Sequence, residues 1–198
     1  MAPKSSRIAW GVLAAATAAV LVYFFWPRQA NLRGFDPAAV ARAETGMWRD
    51  YYDHHYASLF RRLYGLSRDE YHFSPWDSAR LSWYAATSAR AFQPTTSRAE
   101  AQRARPILER YYGIIRRHGG EVFDVAQAAR LELEWWQMRR DGADSERYGE
   151  VVAQVSAEVY GVNGAEMKQA AVLRAEMMRY RDAHRNGRMQ PADWIHIE

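Results

Sequence analysis

The chain has 198 residues, with 27 Lys+Arg against 23 Asp+Glu and no cysteine. Without cysteine it can form no disulfide, no thiolate nucleophile and no covalent haem attachment. Three basic residues, Lys4, Arg7 and Arg28, lie before residue 29 and no acid precedes Asp36, so from residue 29 onward the balance is 24 to 23, which is no basic stripe for nucleic acid.

Residues 8–26 are 19 consecutive residues without a charge. At 1.5 Å per residue such a helix is about 28 Å long, enough for a hydrocarbon core of about 30 Å. Trp10 stands near one end, and Tyr23, Phe24, Phe25 and Trp26 crowd the other, where aromatic rings prefer the headgroup level. A cleaved signal peptide is the competing reading, but its apolar core runs about 7–15 residues and ends at small residues. This run is longer and ends in bulky aromatics and Pro27, so a retained anchor is expected. Lys4 and Arg7 before the run, against Arg28 and Arg33 after it, favour a cytoplasmic N-terminus by a small margin. The division expected is a cytoplasmic segment 1–7, a transmembrane helix 8–26, a juxtamembrane linker 27–35, a helical domain 36–187 and a tail 188–198. The expected place is a bacterial inner membrane with the domain in the periplasm; the lack of cysteine fits that compartment and a reducing one equally.

Start and stop signals then recur along the domain. Asp36-Pro37 is an N-cap with a first-turn proline, opening a helix expected to reach Gly65. Ser74-Pro75-Trp76-Asp77 opens a second, ending near Phe92. Ser97 with Glu100 forms a capping box for a third, stopped by Gly119-Gly120 and kinked or split at Pro106. Asp124 opens a fourth that ends at Gly142, Ser145 a fifth that ends at Gly161, and Asn163 a sixth that ends near Gly187. Pro191-Ala192-Asp193-Trp194 adds a short turn. No segment alternates as a strand does, so the fold class is all-α.

Some segments echo one another. Ala79-Arg80-Leu81 recurs as Ala129-Arg130-Leu131, and Ser97–Gly113 and Ser145–Gly161 each run from Ser to Tyr-Gly. The pattern suggests αα-hairpins, either in a bundle or in a short right-handed array somewhat like tetratricopeptide or Sel1-like repeats, although the 34-residue period is absent.

Two groups of residues stand out as candidate sites. The first is aromatic: Trp48, Tyr52, Tyr56, Tyr64 and Trp76, within a segment rich in Tyr and Trp, as partner anchors. Trp48, Tyr51, Tyr52 and Leu59 share one face of the first domain helix. The second is polar on faces that should be buried: Glu44, His55, Glu132, Arg174 and Arg181. Buried charge needs partners, so Glu44 or Glu132 is expected to pair with Arg174 or Arg181. Asp50, Asp53, His54 and His55 cluster, but Asp50 and Asp53 are read as facing solvent and no Glu-x-x-His occurs, so no metal site and no cofactor is expected. Gly-rich phosphate loops, G-x-S-x-G and H-E-x-x-H are absent. Arg139-Arg140-Asp141 reads as a solvated helix end, and Gly46 as a close contact or a bend.

The expected function is a membrane-anchored interaction module: a scaffold, assembly factor or accessory subunit that meets the bilayer through residues 8–26 and a protein partner through its aromatics. The alternative is an enzyme or small-ligand receptor built on the inward Glu/His/Arg set.

Overall fold

A computed structural model describes residues 4–184 and 189–198. The start of the N-terminal segment, the expected helix end at Gly187 and the boundary of the tail at residue 188 lie outside the described residues. No strand occurs among those described, and the fold is all-α.

The first helix, α1 (Lys4–Phe25), is long and apolar enough to cross a membrane. None of its Ile8–Phe25 stretch is buried in the fold. The segment expected as a linker, 27–35, is instead part of the domain. Ala30 and Leu32 are buried. The Ala30 amide donates to the carbonyl of His118 (2.7 Å) and the Asn31 amide to that of Tyr71 (2.9 Å). Arg33 donates to the carbonyls of Tyr160 and Gly161 and pairs with Glu121 at 2.7 Å. His118, Tyr160 and Gly161 all lie at helix C-termini, whose last carbonyls have no partner within their own helix. The segment is ordered because it supplies those partners.

The helix expected over 36–65 is two helices. Asp36 caps α2 (Pro37–Tyr52), accepting from the Ala38 amide. The chain then breaks at Asp53–His55, with His54 at φ +59°, and restarts as α3 (Tyr56–Gly65). The break folds α3 back so that Arg62 reaches Asp50 at 2.8 Å, and Asp50 is buried, not solvated as expected. Gly46 is the close contact: a Cβ there would stand 2.7 Å from the Arg62 guanidinium. A π turn (Leu66–Glu70) leads to α4 (Pro75–Phe92), capped by Ser74. Pro106 splits the next segment into α5 (Arg98–Ala101), a 3-10 turn (Gln102–Ala104) and α6 (Arg105–His118). There follow α7 (Val125–Arg140), α8 (Ser145–Tyr160), capped by Asp144 one residue before the expected Ser145, and α9 (Gly164–Ala183). The tail forms α10 (Pro191–Ile197), which buries Trp194 and Ile197 against α9 and α2.

From α4 onward each long helix packs on the next: α4 on α6, α6 on α7, α7 on α8 and α8 on α9. Leu81, Leu108, Leu131, Leu133, Val152 and Met178 are among the buried residues that join this row. The two Tyr-Gly pairs play different parts. Gly161 ends α8 at φ +60°, whereas Gly113 lies inside α6.

The α8–α9 contact depends on Gly149, where a Cβ would meet the Val172 Cα at 2.9 Å, a backbone atom that cannot step aside. Nothing lies within 4 Å of a Cβ at Gly113. Gly113→Ala is therefore expected to stabilise by about 0.5–1 kcal/mol through helix propensity. Gly149→Val is expected to destabilise by about 1–3 kcal/mol through overpacking. Denaturant unfolding of the two variants checks this, and equal effects would contradict the tight α8–α9 contact.

Candidate ligand site

Helical periodicity brings three rows of side chains together. On α2 the row is Glu44, Trp48 and Tyr52, at successive i, i+4 steps. On α7 it is Glu132, Trp135, Trp136 and Arg139, and on α9 it is Arg174, Arg181 and Asp182. Glu44 accepts from Arg174 Nε at 2.9 Å. The Arg174 guanidinium lies over the rings of Trp48 and Trp135, 5.6 and 5.5 Å from their centroids. Glu132 takes no arginine. Its carboxylate accepts from Tyr112 Oη (2.9 Å), Trp135 Nε1 (3.0 Å) and Trp136 Nε1 (2.9 Å). Three donors on one carboxylate suit a group that only accepts when ionised.

A second knot lies one to two turns further along. Arg139 donates to Tyr52 Oη at 2.6 Å and to both oxygens of Asp182 at 2.8 and 2.9 Å. It is not the solvated helix end expected from the sequence. Its neighbour Arg140 turns instead to Thr95 and to the Phe92 ring. Arg181 sits on the face of Tyr52 and donates to Asp182 at 3.3 Å. Burial opposes the charge on both Arg139 and Arg174. Hydrogen bonding and attraction to Asp182 in one case and to Glu44 in the other outweigh it, and both pKa values rise above the ordinary arginine value. The three acids Glu44, Glu132 and Asp182 are matched in number by Arg139, Arg174 and Arg181.

Glu44, Trp48, Glu132, Trp135, Trp136 and Arg174 border a cavity of about 640 Å³ between α2 and the helical row, and the Arg139 knot lies behind its wall. Its walls are mostly apolar, with Val40 and Trp48 from α2, Leu81 and Ala85 from α4, Tyr111 from α6, Val155 from α8 and Met177 from α9. Glu44, Glu132, Arg174 and the hydrogen-bonded pair Tyr71 and Tyr160 (3.1 Å between hydroxyls) add polar points. Glu44 and Arg174 keep 30% and 31% of their side-chain surface accessible although protein surrounds Arg174, because both face the cavity. Burial pushes the phenols of Tyr71, Tyr111 and Tyr112 upward, with further contributions from neighbouring tyrosines and acids.

The other sequence candidates are scattered. His55, expected on a buried face, is 66% exposed beside Asp50 at 4.0 Å, because the break at residues 53–55 rotates it out. The aromatic candidates form no single surface. Trp48 and Tyr52 turn inward, Tyr64 is half-buried, and Tyr56 is exposed against His54. Trp76 packs on Phe24 and Phe25 of α1, with ring centroids 6.3 and 5.2 Å away. Sequence reasoning missed Arg139 and Asp182, whose pairing spans 43 residues, and Trp83, which is 61% exposed on α4. No group of three or more His, Asp or Glu among the described residues is placed to hold a metal ion.

No protein-family model matches the chain, and no curated protein or solved structure is significantly similar to it.

Glu132→Gln retains one acceptor oxygen for three donors and is expected to cost about 1–3 kcal/mol. Unfolding followed by tryptophan fluorescence checks this; a neutral change would contradict the role of Glu132 as the shared acceptor. The buried phenols also set an alkaline limit. Burial raises Tyr148, whose hydroxyl donates to the Ala175 carbonyl, to about 12. Its unfolded value is about 10. A folded-state pKa above the unfolded one gives stability that is complete below about pH 10 and is lost as the pH rises through about 12. Melting temperature should therefore fall steeply above about pH 10, together with delayed phenolate absorbance, and a flat profile would contradict it.

Proposed function

We propose that this protein is a membrane-anchored helical receptor for a small amphiphilic molecule, held in the cavity between α2 and the α4–α9 row. The observation that carries this reading is the cavity of about 640 Å³, mostly apolar, with Glu44 and Arg174 facing into it. Ligand pockets are typically about 300–1,000 Å³, apolar, and marked by a few convergent polar groups. The reading takes α1 as a single-pass anchor, with the N-terminus cytoplasmic and the domain on the periplasmic side of a bacterial inner membrane; the length and apolarity of α1 and its aromatic end support this. A binding role is preferred to a catalytic one because every acid in the cluster already has an arginine, tyrosine or tryptophan partner.

A second reading keeps the domain as a scaffold or assembly factor, with the sequential helices as an αα-hairpin array of tetratricopeptide type. It is favoured by the exposure of Trp83, Tyr56 and Phe60, which are available as aromatic anchors.

Ala41 lines the cavity, and Ala41→Phe would fill part of it. With full-length protein in lipid nanodiscs, energy transfer from tryptophan to the apolar dye N-phenyl-1-naphthylamine, corrected for discs alone, should saturate near one dye per chain. Ala41→Phe should bind it at least about tenfold more weakly with an unchanged or higher melting temperature, the behaviour of a filled cavity. Equal dye binding by the two proteins would remove the receptor reading and leave the scaffold reading in place.

A further inference from the structure

We infer that the ligand of this cavity is an electrically neutral amphiphile drawn from the bilayer, whose head carries both a hydrogen-bond acceptor and a donor, such as an ester carbonyl with hydroxyls. The inference rests on the receptor reading above and adds to it the charge of the ligand, the polar groups of its head and its source.

The head group is read from what Arg174 and Glu44 leave open. Arg174 uses only Nε, on Glu44 Oε2. Its two terminal nitrogens carry no hydrogen bond among the described residues, and its guanidinium carbon lies over the rings of Trp48 and Trp135. What remains toward the cavity is the donating edge of a guanidinium. Glu44 Oε1 is likewise open beside it as an acceptor. The site thus offers a donor edge and an acceptor side by side, which a hydroxyl-and-carbonyl head satisfies together.

The charge is read from the surrounding cluster. Beside and behind the wall, three acids and three arginines match in number; Glu198, the other acid on the wall, is exposed to solvent, which screens its charge. A carboxylate or an ammonium added to this balanced, mostly apolar space would remain uncompensated, which is costly. A neutral head adds no net charge and still pairs both open groups.

The source is read from where the cavity wall meets α1. Leu66 and Ser67 line the cavity, and the next residue, Arg68, donates to Tyr23 Oη near the end of α1 at 3.3 Å. Phe73 lines it too, and Trp76, three residues on, packs on Phe24 and Phe25. With α1 in a bilayer, these aromatics lie at headgroup level. The wall of the cavity is then within a few residues of the lipid interface.

The test compares three probes with one acyl chain: monooleoylglycerol, oleate and oleylamine. Each is titrated into full-length protein in phosphatidylcholine nanodiscs, with tryptophan fluorescence read against Ala41→Phe. Monooleoylglycerol is expected to bind at least about tenfold more tightly than either charged probe. Arg174→Lys, which keeps the charge but loses the planar edge, should weaken it by a similar factor. Glu44→Gln leaves the cluster one charge positive and should shift preference toward oleate, which a purely structural salt bridge would not do. The Glu44→Gln arm stands if Arg174→Lys fails to fold. Equal binding of all three probes, or tightest binding of a charged one to the unaltered protein, overturns the head-group inference while leaving the cavity a binding site. No difference from Ala41→Phe with any probe means that the receptor reading itself has failed. Loading should be faster from monooleoylglycerol preloaded in the disc lipid than from a cyclodextrin carrier in solution; the reverse order overturns the bilayer as source.

Discussion

The fold depends on how α2 is held over the α4–α9 row. Along that row, neighbouring helices interlock through apolar side chains and glycine-sized gaps. The backbone of α2 packs closely on α3 and has no approach of that kind to α7, α8 or α9. It is spanned to them by long polar side chains instead: Glu44 to Arg174, Tyr52 to Arg139, and Trp48 laid on the Arg174 guanidinium. Arginine suits this work, since its planar head donates at its edge and stacks on its faces at once. Bridging by reach, not by contact, keeps the helices apart, and the space between them is the cavity. The same bridges place charge beside it, so the polarity of the cavity and its existence have one cause.

A second constraint joins this space to the N-terminal helix. Residues 27–35 cap the ends of α6 and α8 and bury Ala30 and Leu32, so α1 leaves the domain from a fixed point and not from a loose tether. Phe35 packs on Tyr71 and Tyr160, the tyrosine pair of the cavity wall. The end of α1 is thus joined to the neighbourhood of that wall by Arg68 on Tyr23 and by Trp76 on Phe24 and Phe25.

Most helix starts were legible because each rests on a local rule. Asp36, Ser74, Ser97, Asp124 and Asn163 each accept from an amide in the first turn of the helix that follows. The Glu132 arrangement was partly legible for the same reason, since Trp135 and Trp136 follow at i+3 and i+4 and reach back one turn. The break at residues 53–55 was not. It contains neither glycine nor proline, and it depends on His54 taking a left-handed conformation that histidine tolerates better than most residues do. His55 was misplaced as a consequence, and Asp50 was assigned to solvent although Arg62 draws it inward. The order in 27–35 and the Arg139–Asp182 pair were hidden because their partners lie 40 or more residues away, where periodicity carries no information. The cavity was illegible in principle: it is a spacing between helices, and no sequence window encodes one.

The most direct measurement is an experimental structure of the full-length protein purified from cells in mild detergent with any co-purifying lipid retained. The result expected is α2 held apart from α7 and α9 by the Glu44–Arg174 and Tyr52–Arg139 bridges, with a chain-shaped molecule in the cavity whose polar end meets Arg174. Collapse of α2 onto the row, with Glu44 and Arg174 separated and the cavity closed, would contradict it.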